Sequence, residues 1–400
     1  MRTFFRISPH PAARGIGTRF ALSKCMNTRF TNFAVLTAIL LFTLHATPAV
    51  ADDVETLIQT LGSPYQAKRD AAREELLNHG AAAVDALIRS LDSDNYFIRK
   101  NSAELIERSA EKAHAETLGK KLSEYINKEP EVAVPLMNAL ARLRGKQAVP
   151  SLRAAVAGGG AEVCAGAIEL LGELGDGESA KDIIALLRDG HSEVRYASAR
   201  ALTRLGAKDA GNEIFKALKD EKVPAAQIAF VEALGELSYA PADEFIITII
   251  RDETSPLFLP AVRALSKIGS GKARDALVDL LMKADDFEML DLAGSAVALV
   301  SESAIPILNE KLKGASIDDR ARILRGFSHM GPEAIPHIIR FMENEPYAFL
   351  QDRAAKALRE MAKRLYDESI KWGPRYDDPP AEKCEDIKRW KNWWAEKEKQ

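Results

Sequence analysis

Cysteine is nearly absent from this chain: three in 400 residues, too few for a disulfide framework. Aromatic residues are only 7%, which disfavours a sandwich or barrel and favours helices packed through small and aliphatic side chains. Histidine is scarce as well, seven in all. No His-Glu pair or His-Glu-x-x-His occurs, so metal chemistry built on paired helical ligands lacks its residues. An excess of basic charge is also missing. The formal net charge is −3, and residues 1–51 hold six basic residues and no acid, which leaves 49 basic against 58 acidic residues, a formal −9, in 52–400. A basic stripe able to neutralise several phosphates would mark nucleic-acid binding, and this balance argues against one. The glycines at 158–160 lack the Lys-Ser/Thr that completes a phosphate loop.

What is present begins with a leader. The apolar run 33–44, FAVLTAILLFTL, is shorter than the roughly 20 residues of a comfortable bilayer span. Basic and polar residues precede it, and HATPAVA follows, with Ala49 and Ala51 at the −3 and −1 positions of a small-x-small cleavage site. This is the three-part pattern of a secretory signal peptide. Residues 1–51 therefore read as leader, Asp52 as the first mature residue, and the protein as periplasmic or secreted. Its membrane contact would be transient, through the signal peptide. Met1 and Met26 both stand open as starts, since Met26 gives a basic region of ordinary length. An uncleaved anchor is the alternative.

The body of the chain is a repeat. The segments ARLRG, GELGD, TRLGA, GELSY, SKIGS, VALVS and FSHMG align on Leu143, Leu174, Leu205, Leu237, Ile268, Leu299 and Met330, at spacings of 31, 31, 32, 31, 31 and 31. Such a period belongs to a stacked helical hairpin. In each unit, apolar residues at three- and four-residue steps mark a first helix. In 191–219 these are Val194, Ala197, Ala201, Leu202 and Leu205. Gly206 ends that helix because it accepts a left-handed backbone, and a second helix buries Ile214, Phe215 and Leu218. Ser192 is expected to cap the first helix. The pattern predicts an all-α, right-handed α-solenoid of about ten hairpins between 52 and 370. The second helices are expected to line its concave face.

The motifs LRDGHSEVRYASARALTRLG (187–206), LDSDNYFIRKNSAELI (91–106) and RDETSPLFLPAVRALSKIG (251–269) resemble the HEAT-repeat family, including the HEAT-like repeats of bilin lyases. The resemblance covers about residues 53–366 and implies fold more than activity. It implies a ladder in which an Asp of the inter-repeat turn meets an Arg of the next helix. Asp189 with Arg195, and Asp92 or Asp94 with Arg99, fit that pattern, and Arg69 fits the arginine position. Ala133, Cys164 and Gln227 occupy comparable places, so the ladder is incomplete. The lyase activity would need chromophore-handling residues that are not identifiable here, and export argues against it.

Residues 371–400 form a separate segment, KWGPRYDDPPAEKCEDIKRWKNWWAEKEKQ. Its prolines and W-x-x-W-W ending resemble the tails of exported planctomycete-like bacterial repeat proteins. A helix from about Ala381 would place Cys384, Ile387, Trp390 and Trp394 on one face. That stripe reads first as a cap on the last hairpin. Trp390, Trp393 and Trp394 could instead anchor a partner or stack on carbohydrate, with Trp393 facing away from the stripe. Cys164 reads as a small buried hydrophobe; a bridge to Cys384 is open but not required. No residue is assigned to catalysis, to a cofactor or to a metal. The expected function is a non-enzymatic scaffold binding a protein or peptide mainly through the concave face of the solenoid. The alternatives are a lyase-like or ligand- or metal-binding periplasmic module, and a rigid spacer with a Trp-rich binding tail.

Overall fold

The structure, a computed structural model, describes residues 48–399, with side chains from Asp53. The leader through Thr47 lies outside the described residues. Chain contacts separate residues 1–56 from residues 57–400. Of the first unit, residues 48–56 are helical, the start of α1 (Pro48–Thr60). The second unit is a stack of helical hairpins.

First helices are α2 (Gln66–His79), α4 (Tyr96–Ser109), α6 (Pro130–Arg144), α8 (Ala161–Glu173) and α10 (Ser192–Arg204). They continue as α12 (Pro224–Glu236), α14 (Phe258–Ile268), α16 (Phe287–Ala298), α18 (Ile317–His329) and α20 (Ala348–Tyr366). Second helices alternate with them: α3 (Val84–Ser90), α5 (Ala115–Tyr125), α7 (Val149–Gly158), α9 (Ala180–Ala185) and α11 (Gly211–Asp220). The series ends with α13 (Asp243–Ile249), α15 (Gly271–Lys283), α17 (Ser301–Lys311), α19 (Ile335–Asn344) and the tail helix α21 (Pro380–Lys397). The last of the roughly ten expected hairpins is a single 19-residue helix, α20, and α21 returns from the tail to pack on α19. Among the described residues no helix is long and apolar enough to cross a membrane.

The 31-residue period holds, and the residue one turn before each aligned position is buried throughout, whereas of the aligned residues Leu237 and Met330 are buried and the others are not. Leu140, Leu171, Leu202, Leu234, Leu265 and Phe327 are essentially inaccessible, each three residues before an aligned position. Leu174, Leu205, Leu237 and Leu299 are instead the residues on which their helices end. Leu299 is 68% exposed there. At a helix's end the chain departs, so the preceding turn faces the neighbouring hairpin more fully, although Leu237 is buried at its helix end as well.

Just past these ends the backbone turns left-handed, with φ of 68° at Gly175, 62° at Gly206 and 62° at Gly269. Gly206 thus acts as the sequence predicts. Ser238 takes the same role at φ 53° without being glycine. Ser192 is the first residue of α10 and makes no cap bond; its hydroxyl meets Glu193. Stacking relies on small residues. A Cβ on Gly172 would lie 2.9 Å from the Cα of Ala201, and one on Gly235 would lie 2.6 Å from the Cα of Ala264. The first helices therefore approach almost backbone to backbone.

Candidate interaction surface

Arginine ties the hairpins together, though not through the aspartates expected. Arg195 donates to the backbone carbonyls of Asp189 (2.9 Å) and Gly190 (3.3 Å), then forks onto Glu221 at 2.6 and 2.8 Å. Glu221 in turn accepts the amides of Lys222 and Val223, both at 2.9 Å, ahead of α12. Its side chain is only 2% exposed. The Arg195 bonds hold its carboxyl below the usual range, against the effect of burial. Arg99 repeats this with the Ser93 carbonyl (2.7 Å) and Glu129 (2.9 and 2.5 Å). Arg320 reaches Glu345 at 3.3 Å, and Arg69 takes the carbonyl of Ser63 at 2.8 Å.

The true rung is thus a carbonyl of the preceding turn plus a glutamate roughly one repeat onward. Asp189 serves His191, accepting its backbone N–H at 2.8 Å, and Asp92 pairs with Lys121 at 2.7 Å. The guanidinium overshoots both, because the orphan carbonyls at the end of the second helix lie closer to it. Gln227, which seemed to break the ladder, donates to the Glu221 carbonyl at 2.8 Å, and Gln351 does the same to Glu345 at 2.9 Å. Sequence reasoning missed these glutamates, although they recur just before the first helices.

Two clefts run along the first helices, whereas the second helices were expected to line the concave face. One, of about 340 Å³, lies between α10, α12 and α14 and is lined by Arg200, Arg204, Glu232, Glu236, Arg263 and Lys267. A larger groove of about 730 Å³ crosses α16, α18 and α20. Small side chains let the helix axes approach while long charged ones form the rims. Those rims are cross-paired: Arg204 to Glu173 at 3.6 Å, Lys267 to Glu236, and Arg325 to Asp291 at 2.5 Å.

Next to the larger groove, Ser295 Oγ lies 3.2 Å from Nδ1 of His329, whose Nε2 lies 3.4 Å from Asp291. This Ser–His–Asp grouping spans two repeats and is invisible in the sequence. A nucleophile would need the carboxylate committed to the ring. Arg325 instead holds the same oxygen at 2.6 Å. Burial, then the Arg325 charge, push the His329 pKa down. The group joins α16 to α18 as another rung. Among the described residues, no three His, Cys, Asp or Glu are placed to hold a metal ion. The acids at turns have structural tasks: Asp176 forks onto Arg153 at 2.8–2.9 Å, and Asp286 caps α16 through the Met289 amide at 2.7 Å.

A family model described as HEAT repeats matches residues 180–259, the region of the Arg195–Glu221 rung and the second cleft. The fold is a HEAT-type α-solenoid. Among curated proteins, the phycocyanobilin lyase subunit alpha of a Picosynechococcus species is 25% identical over 195 residues, 46% of this chain and 60% of that protein. The chain therefore matches over less than two thirds of that relative. Among solved structures, Kap121p bound to Ste12p is similar with a TM-score of 0.54 at 14% identity, covering 78% of this chain and 41% of that one. Kap121p bound to RanGTP is similar with a TM-score of 0.52 at 14% identity, covering 79% and 41%. At such identities the likeness concerns the fold.

The solenoid closes on its tail. Trp390 is wholly buried, 4.7 Å from Trp372 and 5.3 Å from Trp393 between ring centres. Trp393, expected to face outward, packs edge-on against Tyr366 at 5.6 Å and donates its indole N–H to Glu368 at 2.7 Å. Trp394 is half-buried. These three tryptophans thus form an internal cap, with Asp386 accepting the Gly373 amide at 3.1 Å. Cys164 is buried and Cys384 exposed, and both are free. Burial raises the Cys164 pKa, as for an inert core thiol.

Proposed function

We propose that this solenoid is a non-enzymatic interaction scaffold that holds a protein or peptide along its first-helix face. The observation that carries this reading is the placement of the 730 Å³ groove and a 340 Å³ cleft on that face, where Arg200, Arg204, Lys267 and Arg325 are committed to helix-to-helix pairs instead of converging on a reacting centre. Broad repeat surfaces of this kind suit modular protein contacts. The test is affinity capture with residues 52–400, followed by hydrogen exchange of the captured complex. Protection concentrated on the first helices is expected; protection confined to the second helices would reject this face.

The leader supports a further part of the proposal, export with cleavage after Ala51, which N-terminal sequencing of the mature protein checks. Recovery of an intact leader would reject it. A second reading, a lyase-like subunit, is favoured by the 25% identical relative. Its test is the visible absorption of phycocyanobilin mixed with the chain, and an unchanged spectrum retires it.

A further inference from the structure

The junction between α16 and α18 is built without the Arg–Glu rung. A ladder arginine is the fourth residue of its first helix, as at Arg99, Arg195 and Arg320. In α16 that place is Leu290, and Gly314, Ala315 and Ser316 stand where a glutamate precedes α6, α12 and α20. Close packing differs as well. Gly172 and Gly235 each rest on the backbone of an alanine in the next first helix, whereas a Cβ on Gly294 of α16 would lie 2.8 Å from Cδ2 of His329. Where those junctions close on backbone, this one closes on an imidazole.

The ring sits where a charged imidazole would be disfavoured. Its side chain is only 20% exposed. Asp291 of α16, Arg325 of α18 itself and Arg364 of α20 bring charge to it. Asp291 Oδ1, 3.4 Å from Nε2 of the ring, already takes two nitrogens of Arg325 at 2.6 and 2.5 Å. Glu360 of α20 lies toward Arg325 at 3.8 Å, and Glu333 ahead of α19 accepts the Gly331 amide at 3.2 Å. The carbonyl end of α18 would by itself favour a cation, but Arg364 has taken the carbonyls of Ser328, His329 and Met330. Protonation thus adds a third positive charge beside two arginines and one shared carboxylate. Burial, then the Arg325 charge, accordingly hold the imidazole pKa below its ordinary value.

We propose that the α16–α18 junction is an acid-opened joint of the solenoid, with His329 as its pin. The neutral ring fills the space against Gly294, bonds Ser295 at 3.2 Å and holds the helices together. Once charged, it is drawn toward water and the helices part. Leu290, Arg322, Arg325 and Ser328 of this junction line the 730 Å³ groove, so the joint sets the groove's width. The inference goes beyond the binding reading and does not depend on it. The folded chain binds this proton less readily than the unfolded chain. Closure is therefore complete above the ordinary histidine value, about 6.5, and is lost as pH falls through the lower folded one.

Hydrogen exchange of the full chain at a series of pH values, corrected for the intrinsic pH dependence of exchange, reads the joint directly. Opening of α16 and α18 is expected to grow as pH falls below about 6.5, by at most about tenfold per pH unit, the limit for one proton. Over the same range α8, α10, α12 and α14 should hold steady. His329→Gln can make the same two hydrogen bonds but cannot charge, so it should abolish the response. His329→Lys, charged throughout, should open the joint at neutral pH. His337→Gln is the control. That ring stacks on Phe327 of α18 at 6.1 Å, accepts the Asn309 amide at 2.9 Å and feels Arg340 of its own helix; the response should survive its loss. A parent without the response, a response that persists in His329→Gln, or one spread evenly over α8 to α14 overturns the proposal. Nuclear magnetic resonance of the parent's labelled histidines covers a variant that fails to fold. A His329 titration at or above the ordinary value, or one that does not coincide with the opening, overturns it as well.

Discussion

Replacing a helical glycine by alanine should have opposite signs at two places in this solenoid. At Gly235 the new Cβ would lie 2.6 Å from the Cα and 2.9 Å from the Cβ of Ala264. Carbon atoms normally rest about 3.5–4 Å apart, so α12 and α14 must separate by most of an ångström. Neither contact is the end of a flexible side chain that could turn away. Overpacking of this kind costs about 1–3 kcal/mol, and the gain in helix propensity, about 1 kcal/mol, offsets only part of it. Gly235→Ala should therefore destabilise the stack by up to about 2 kcal/mol. At Gly119, inside α5, the added Cβ meets nothing within 4 Å. There the propensity gain stands alone, about 0.5–1 kcal/mol of stabilisation. Urea unfolding followed by far-ultraviolet circular dichroism measures both, and amide exchange in α12 and α14 localises the first. A Gly235→Ala protein as stable as the parent, alongside a stabilised Gly119→Ala, would refute the close-approach argument.

Other consequences follow from single residues. Ser238 holds a left-handed backbone that costs an L-residue about 1–2 kcal/mol, so Ser238→Gly should raise the urea midpoint; a lowered midpoint would show that its hydroxyl matters more. The folded chain keeps Glu221 below its ordinary carboxylate value. Its contribution is thus present above that value and lost as pH falls through the lower folded one. The stability gap between the parent and Glu221→Gln should narrow as pH drops below about 4.5, and a pH-independent gap contradicts the rung. Trp390→Ala removes a wholly buried side chain, a loss of about 3–5 kcal/mol, concentrated in the cap. Because all four tryptophans lie within residues 372–394, fluorescence should show the tail loosening before the helical signal falls. Coincident transitions would mean that cap and stack unfold as one unit.

Periodicity in the chain determined the all-α class, the 31-residue repeat, the alternation of first and second helices, and the left-handed ends at glycines such as Gly206. These are local consequences of apolar spacing and backbone freedom, so they are readable residue by residue. How deeply each aligned residue is buried was not readable: Leu237 and Met330 are buried while Leu299 is exposed, because burial depends on the neighbouring hairpin. The ladder likewise needed the stack. Arg195 and Arg99 were recognisable, but their partners Glu221 and Glu129 lie 26 and 30 residues onward, and the competing backbone carbonyls exist only once the turn is folded. The Trp390 cap and the clefts on the first helices were settled only in three dimensions. Each depends on which side chains of separate repeats meet, and a one-dimensional period does not specify that.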